Sequence, residues 1–386
     1  MIPYGKQDIN QADINSIISV LKSDFLTQGK QVPLFEKTVS DYCGVEYGVA
    51  VNSATSALHI ACLALGLRKG DWLWTSPNSF VASANCGLYC GAKVDFVDID
   101  TKTYNLSVEE LEIKLIQAEQ DGKLPKIVIP VHFAGQSCDM KGIYSLSQKY
   151  GFKIIEDASH AIGGRYLDRL IGGCQYSDIT VFSFHPVKII TTAEGGLATT
   201  NDKELAERMQ LFRSHGVTRD SKFMTKESEG GWYYQQVGLG FNYRMTELQA
   251  ALGISQMQRL DYFVTKRHIL QERYDSLLNN FPIIKPYQDK YSYSALHLYP
   301  IKIDIEKNTK DRKQIFNELR SECIGVNVHY IPIHTQPYYR KFGFKSGDLP
   351  ISEEYYSRVI SLPLHHRMKF SEQDYVASKL ENILKG

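Results

Sequence analysis

Short runs rich in β-branched and aromatic residues recur along the first half of the chain, at residues 47–51, 71–77, 94–98, 126–132, 153–157 and 179–184. Stretches with apolar residues at helical spacing separate them, as in the alanine-rich segment 57–65 and the segment 78–89. Strands that alternate with helix-length spacers are joined by crossovers, so the pattern predicts an α/β fold with a large, mainly parallel sheet. In such sheets ligands bind at the carboxyl ends of the strands, so the residues just past each run are the first candidates for a site.

At 386 residues the chain is too long for one compact core. The reading divides it into residues 1–260, carrying the large sheet, and residues 261–386, a smaller α+β unit with strands at 297–303 and 326–331. Basic and acidic residues number 44 and 43, so nothing favours a nucleic acid or an acidic membrane as partner. The start, Met-Ile-Pro-Tyr-Gly-Lys-Gln-Asp, lacks the charged and apolar segments of a signal peptide, and no run reaches 18 apolar residues. A soluble protein of the cytoplasm is expected. The seven cysteines are odd in number and scattered, without Cys-x-x-Cys spacing, and read as buried free thiols. Cys86 and Cys90 could share a helix face, and His329 with His334 or His365 with His366 could suggest a metal. No other ligands cluster with them, so no metal is expected.

Candidate chemistry begins at Lys188, which follows the run 179–184 and precedes the pair Gly195-Gly196. A lysine amine attacks carbonyls only when burial or a neighbouring cation lowers its pKa, and the apolar neighbours or His185 could supply either. Taken alone, Lys188 reads as an ordinary surface lysine beside a turn, and it is the company upstream that changes this reading. Asp157 ends another strand 31 residues earlier and faces the same crevice, or else serves as a helix N-cap. A strand-end carboxylate and a lysine are the pair that holds pyridoxal phosphate, one protonating the pyridine nitrogen and the other attaching the aldehyde. Ser53-Ala-Thr-Ser56 opens a helix, so its amides and hydroxyls either cap that helix or cradle a phosphate. Phe80, at the mouth of the segment 78–89, is a core residue or a stacking one. The stretch 221–240 is polar, aromatic and glycine-rich, and reads as a lid or as an arm ordered by a partner.

These residues sit in motifs, namely Leu26-Thr-Gln-Gly, Asn52-Ser-Ala-Thr-Ser-Ala-Leu58, Glu156-Asp-Ala-Ser-His-Ala161, Ser183-Phe-His-Pro-Val-Lys188, Thr191-Thr-Ala-Glu-Gly-Gly196, Arg213-Ser-His-Gly216 and Asn242-Tyr-Arg-Met245. In this order the chain resembles, nearly end to end, the sugar aminotransferases of the DegT/DnrJ/EryC1/StrS family. The narrower resemblance is to the transaminases of pseudaminic acid biosynthesis, which aminate C4 of a UDP-linked 4-keto-6-deoxy-N-acetylhexosamine.

The resemblance implies the type I aminotransferase fold, pyridoxal 5'-phosphate as cofactor, glutamate as amino donor and a homodimer with shared sites. It makes Lys188 the catalytic lysine and Asp157 the partner of the ring nitrogen, stacks Phe80 on the ring and puts His160 near the ring's 3-hydroxyl. The phosphate falls to Ala54, Thr55, Ser56 and Ser183, with Asn242 of the partner subunit. Substrate contacts carried over are Tyr4, Phe25, Leu26 and Thr27 at the N-terminal entrance, Ala54 and Ser183 inside, and His329, Tyr330, Ile331 and Pro332 in the small unit. Related enzymes that dehydrate sugars carry histidine in place of the lysine, so Lys188 argues against that chemistry. Another 3- or 4-keto nucleotide sugar, dTDP- or GDP-linked, and a non-catalytic PLP-binding regulator are the alternatives.

Overall fold

A computed structural model describes residues 1–385; Gly386, the end of the expected second unit, lies outside them. Seven strands form the main sheet: β1 Tyr47–Val51, β2 Trp72–Thr75, β3 Lys93–Phe96, β4 Ile127–Ile129, β5 Lys153–Asp157, β6 Ile179–Ser183 and β7 Gly196–Thr200. Their spatial order is β1-β7-β6-β5-β4-β2-β3. From β6 through β5, β4 and β2 to β3 all neighbours pair in parallel, whereas β7 runs antiparallel to both β6 and β1.

Successive strand residues face opposite sides and both sides are apolar, which is why the strands read as continuous hydrophobic runs. Val49, Val51, Val181 and Ala198 pack on one side with Leu58, Ile60 and Ala61 of the helix Ala54–Ala64. Ala50, Phe182 and Leu197 pack on the other with Phe35, Leu260 and Phe263. Because Val51 and Ser183 both register against Gly196, these three strand ends lie side by side at one edge of the sheet.

The helix Leu260–Leu277 runs from one core into the next. Its Leu260, Phe263 and Val264 belong to the core under the large sheet. Its Leu270 and Tyr274 belong to a core shared with a three-stranded antiparallel sheet, Ile283–Ile284, Tyr299–Ile303 and Val359–Leu362. Between them the buried Arg267 guanidinium donates from one nitrogen to the carbonyls of Leu296, His297 and Leu364 at 3.0, 3.2 and 2.9 Å. Burial lowers its pKa to about 9. The N-terminus joins the smaller body, since Ile2 bridges Ile324.

Two local expectations change. Residues 326–331 form no strand: apart from a bridge between Asn327 and Ser361, their donors turn elsewhere, Tyr330 N–H going to the Asn78 side chain at 3.2 Å. The helix expected from residue 78 starts at Ala82, after a turn in which Asn78 is held by Ser76 and Tyr104. The helix opened by Ser53-Ala-Thr-Ser56 runs Ala54–Ala64, with Ser53 as its cap. The glycine-flanked stretch 163–173 is a hairpin, Arg165–Tyr166 with Arg169–Leu170, turned through Leu167 and Asp168 at positive φ. Among the described residues no helix is long and apolar enough to cross a membrane.

Candidate active site

A cavity of about 600 Å³ opens where β5 and β6 end, roofed by residues of the smaller body. Asp157, Ser183, Lys188, Ala54, Thr55, Phe80, His160, Tyr4, His329 and Tyr330 all line it, so residues spread over more than three hundred positions converge.

Lys188 lies five residues past the end of β6, in a loop folded back on itself. Phe184 donates to the Gly195 carbonyl at 2.9 Å and accepts from Thr192 N–H at 3.0 Å, and its ring packs edge-on against Phe35 at 5.2 Å. The closed loop holds the lysine at the cavity wall, where loss of water lowers its pKa to about 8, partly offset by the Asp157 charge. Of the two causes the sequence allowed, burial is the one present. His185 is exposed at the rim.

The phosphate-like cradle is built by the turn before the helix Ala54–Ala64. Ser53 Oγ accepts from Ser56 N–H at 3.1 Å, which leaves the first helical amides, Ala54 and Thr55, facing the cavity without an intrahelical partner. Strand β7 presses against this turn: a Cβ on Gly196 would stand 2.5 Å from Ala54 N and Ser53 C. Ser183 contributes a hydroxyl at the same edge. Ser56 lies behind the wall, donating to Asn52 Oδ1 at 2.7 Å and so fixing the turn. The Phe80 ring is 62% exposed on the cavity side, an aromatic face with nothing against it.

Opposite stand His329, Tyr330, Asn327 and Tyr4. His329 is tied to Ser361 Oγ at 2.8 Å, and burial with the nearby Lys188 charge lowers its pKa to about 3, so it is neutral. The Tyr330 hydroxyl lies 3.1 Å from His160 Nε2, which joins the smaller body to the wall beyond β5. Burial, then Lys188 and His329, push the His160 pKa well down, and its buried Nδ1 has no partner.

Other expected contacts lie outside this cavity. Phe25 is 61% exposed, and Leu26 and Thr27 are exposed beside it. The Leu26-Thr-Gln-Gly turn wraps the buried Glu247: Glu247 N–H donates to the Leu26 carbonyl at 3.0 Å, and its carboxylate accepts from Gln31 N–H at 2.6 Å. Ile331 is exposed and Pro332 buried beyond Tyr330. Asn242 is exposed, its carbonyl 3.4 Å from Asn52 Nδ2 and its side chain away from this chain's cavity. Sequence reasoning missed Ser79, Ser83 and Asn327, which line the cavity within segments that show no chemical signal of their own, and gave no role to Glu194, which lines it from the motif Thr191-Thr-Ala-Glu-Gly-Gly196. Among the described residues no three His, Cys, Asp or Glu side chains are grouped to hold a metal.

Helix-start amides beside a strand too close for any Cβ, an uncovered aromatic face, a strand-end carboxylate and a lysine of lowered pKa fit a flat, phosphorylated pyridine aldehyde. The profile of the DegT/DnrJ/EryC1/StrS aminotransferase family matches residues 7–381. A Campylobacter jejuni protein named UDP-4-amino-4,6-dideoxy-N-acetyl-beta-L-altrosamine transaminase is 36% identical over 387 residues, covering 100% of this chain and 98% of its own length. Among solved structures, Helicobacter pylori PseC, an aminotransferase involved in the biosynthesis of pseudoaminic acid, superposes with TM-score 0.91 at 32% identity, over 100% and 99% of the two chains. A putative sugar aminotransferase of Streptococcus pneumoniae, Spr1654 in its PMP-form, gives 0.90 at 29%, over 100% and 99%.

Proposed function

The chain belongs to the DegT/DnrJ/EryC1/StrS aminotransferase family, and from that premise we propose that it transfers the amino group of glutamate to C4 of a UDP-linked 4-keto-6-deoxy-N-acetylhexosamine, the reaction of pseudaminic acid biosynthesis. What carries the substrate assignment is the end-to-end likeness to a transaminase named for a UDP-linked 4-amino-4,6-dideoxy sugar.

Pyridoxal 5'-phosphate, the cofactor of the family, supplies when bound the carbonyl that accepts the donor's amine and the electron-poor ring that takes up carbanion charge. The Ala54 and Thr55 amides and the Thr55 and Ser183 hydroxyls would hold its phosphate, with Asn242 of the partner subunit completing the set and Ser56 bracing the turn behind them. Phe80 would pack on the ring, Asp157 would keep its nitrogen protonated, and His160 would stand by its 3-hydroxyl. Lys188 would hold the cofactor through its aldehyde carbon, and its free amine is the base placed to take the proton from the donor's α-carbon. With a pKa of about 8 the same group gives that proton up again near neutral pH, as general acid and base. Neutral His329, tied to Ser361, stands in the wall without repelling the lysine.

Transamination needs only a carbonyl, so discrimination between sugars comes from contacts remote from the reacting carbon. Tyr4, His329 and Tyr330 supply them from inside, and Phe25, Leu26, Thr27, Ile331 and Pro332 from the outer rim. The unit 1–260, apart from its first residues, and the unit 261–386 form the two walls of the cleft, and the exposed arm 221–240 packs on a second copy. Seven free cysteines favour the reducing cytoplasm as the location.

The test is to incubate the purified, cofactor-loaded protein with glutamate and UDP-, dTDP- or GDP-linked keto sugars and identify products by mass spectrometry. The UDP-linked 4-keto-6-deoxy-N-acetylhexosamine is expected to be aminated with the highest kcat/KM. A preference for a dTDP-linked or 3-keto sugar would overturn the substrate assignment while leaving the reaction class in place.

A further inference from the structure

Asp157 is held by more than its strand. Its Oδ1 accepts from Ser159 N–H at 3.1 Å and its Oδ2 from Ser83 Oγ–H at 2.7 Å. Behind Ser83 stands Ser79, with the two hydroxyl oxygens 2.7 Å apart. All three side chains are buried. The Ser83 hydroxyl has two other acceptors in reach, Ser79 Oγ at 2.7 Å and the Phe80 carbonyl at 3.4 Å. A carboxylate oxygen is a stronger acceptor than a hydroxyl oxygen at the same distance, so the Ser83 hydrogen points at Asp157 and Ser79 donates to Ser83. The result is a donor chain of two hydroxyls ending on one carboxylate oxygen, set by the turn after β2 and the first turn of the helix Ala82–Tyr89.

We infer that Ser83, backed by Ser79, is a positioning residue that keeps the proton on the cofactor's ring nitrogen rather than on Asp157. This rests on the cofactor assignment made above. A hydrogen bond donated to a carboxylate favours its charged form, whereas a buried carboxylate stripped of donors becomes a stronger base. A stronger base facing a pyridinium takes its proton: the N–H bond breaks, an O–H bond forms on the carboxyl, and the ring is left neutral and a poor electron sink. Ser159 donates through its backbone, so Ser83 is the side chain through which this balance is set.

The experiment loads wild type, Ser83→Ala, Ser83→Thr and Ser79→Ala with cofactor labelled with nitrogen-15 in the ring and reads the ring-nitrogen resonance. Ser83→Ala is expected to move it from the pyridinium toward the neutral pyridine position and to slow the glutamate half-reaction about tenfold, the effect of one pK unit, with little change in KM. Ser83→Thr keeps the hydroxyl and is expected to restore both, while Ser79→Ala gives a smaller shift in the same direction. A pyridinium resonance unchanged in Ser83→Ala would overturn the inference, as would a threonine variant as impaired as the alanine one. If Ser83→Ala does not fold, Ser79→Ala decides, since it leaves the contact with Asp157 in place and no shift there counts against the chain. Borohydride fixation of cofactor to wild-type Lys188 tests the underlying assignment separately: without it both readings fall, and with it only the role of Ser83 is at stake.

Discussion

A single lysine shows how little of its reactivity is written in its own side chain. An ordinary lysine, with a pKa near 10.4, has roughly one amine in a few thousand free at neutral pH. Lys188 is lowered to about 8, mainly because the cavity wall strips its ammonium of water, and about one in ten is free at pH 7. The rate at which apoprotein takes up pyridoxal phosphate covalently is therefore expected to rise in proportion to the free amine up to about pH 8 and then level off. Stopped-flow absorbance would measure it, and a rate still climbing steeply at pH 10 would show that burial does not set the pKa. Lys188→Ala should fold and bind the cofactor without fixing it to the protein under borohydride. Tyr330 carries the opposite lesson. Expected as a sugar contact alone, its hydroxyl lies on His160, so its replacement should disturb the glutamate half-reaction as well as the sugar one.

Two elements owe their approach to one missing atom. Strand β7 and the turn at Ser53 meet at Gly196, where a Cβ would fall 2.5 Å from two backbone atoms that no rotamer change can move away. Gly196→Ala is expected to push the turn out of place, weaken cofactor binding by tenfold or more, about 1.4 kcal/mol, and lower the melting temperature. Cofactor titration by fluorescence and a thermal melt would check this, and wild-type behaviour of Gly196→Ala would remove Gly196 from the cradle. The Leu26-Thr-Gln-Gly turn is organised in the same way: a Cβ on Gly29 would strike the buried Glu247 carboxylate, which caps the start of the helix Gln31–Cys43.

At the scale of the whole molecule the unexplained surface is the arm. Trp232 and Leu239 are 73% and 78% exposed, although a lone chain gains nothing by presenting such side chains to water. Asn242, at its end, lies outside this chain's own cavity. Both facts fit a homodimer in which the arm reaches the other site. Light scattering at assay concentration is expected to give twice the chain mass, and Leu239→Asp to shift the population toward monomer with loss of bound cofactor. A fully active monomer would refute the arrangement.

What the sequence determined by itself was periodic or locally specified. Strands at 47–51 and 153–157 were legible to the residue, because strands apolar on both faces leave little freedom in where the run begins and ends. Lys188, Asp157 and the Ser53 turn were legible as candidates, because each follows a strand end, and the fold lines one cavity with them. The tertiary structure alone decided the rest. Residues 326–331 have the composition of a strand, yet they become the roof of the cavity because Asn78, far away in the chain, takes the Tyr330 amide. Ser79 and Ser83 look like any serines at a helix start until folding brings the end of β5 against them. Burial of a lysine, a hydroxyl's choice of acceptor and the pairing of two distant walls depend on contacts between remote segments, and local pattern carries no record of those.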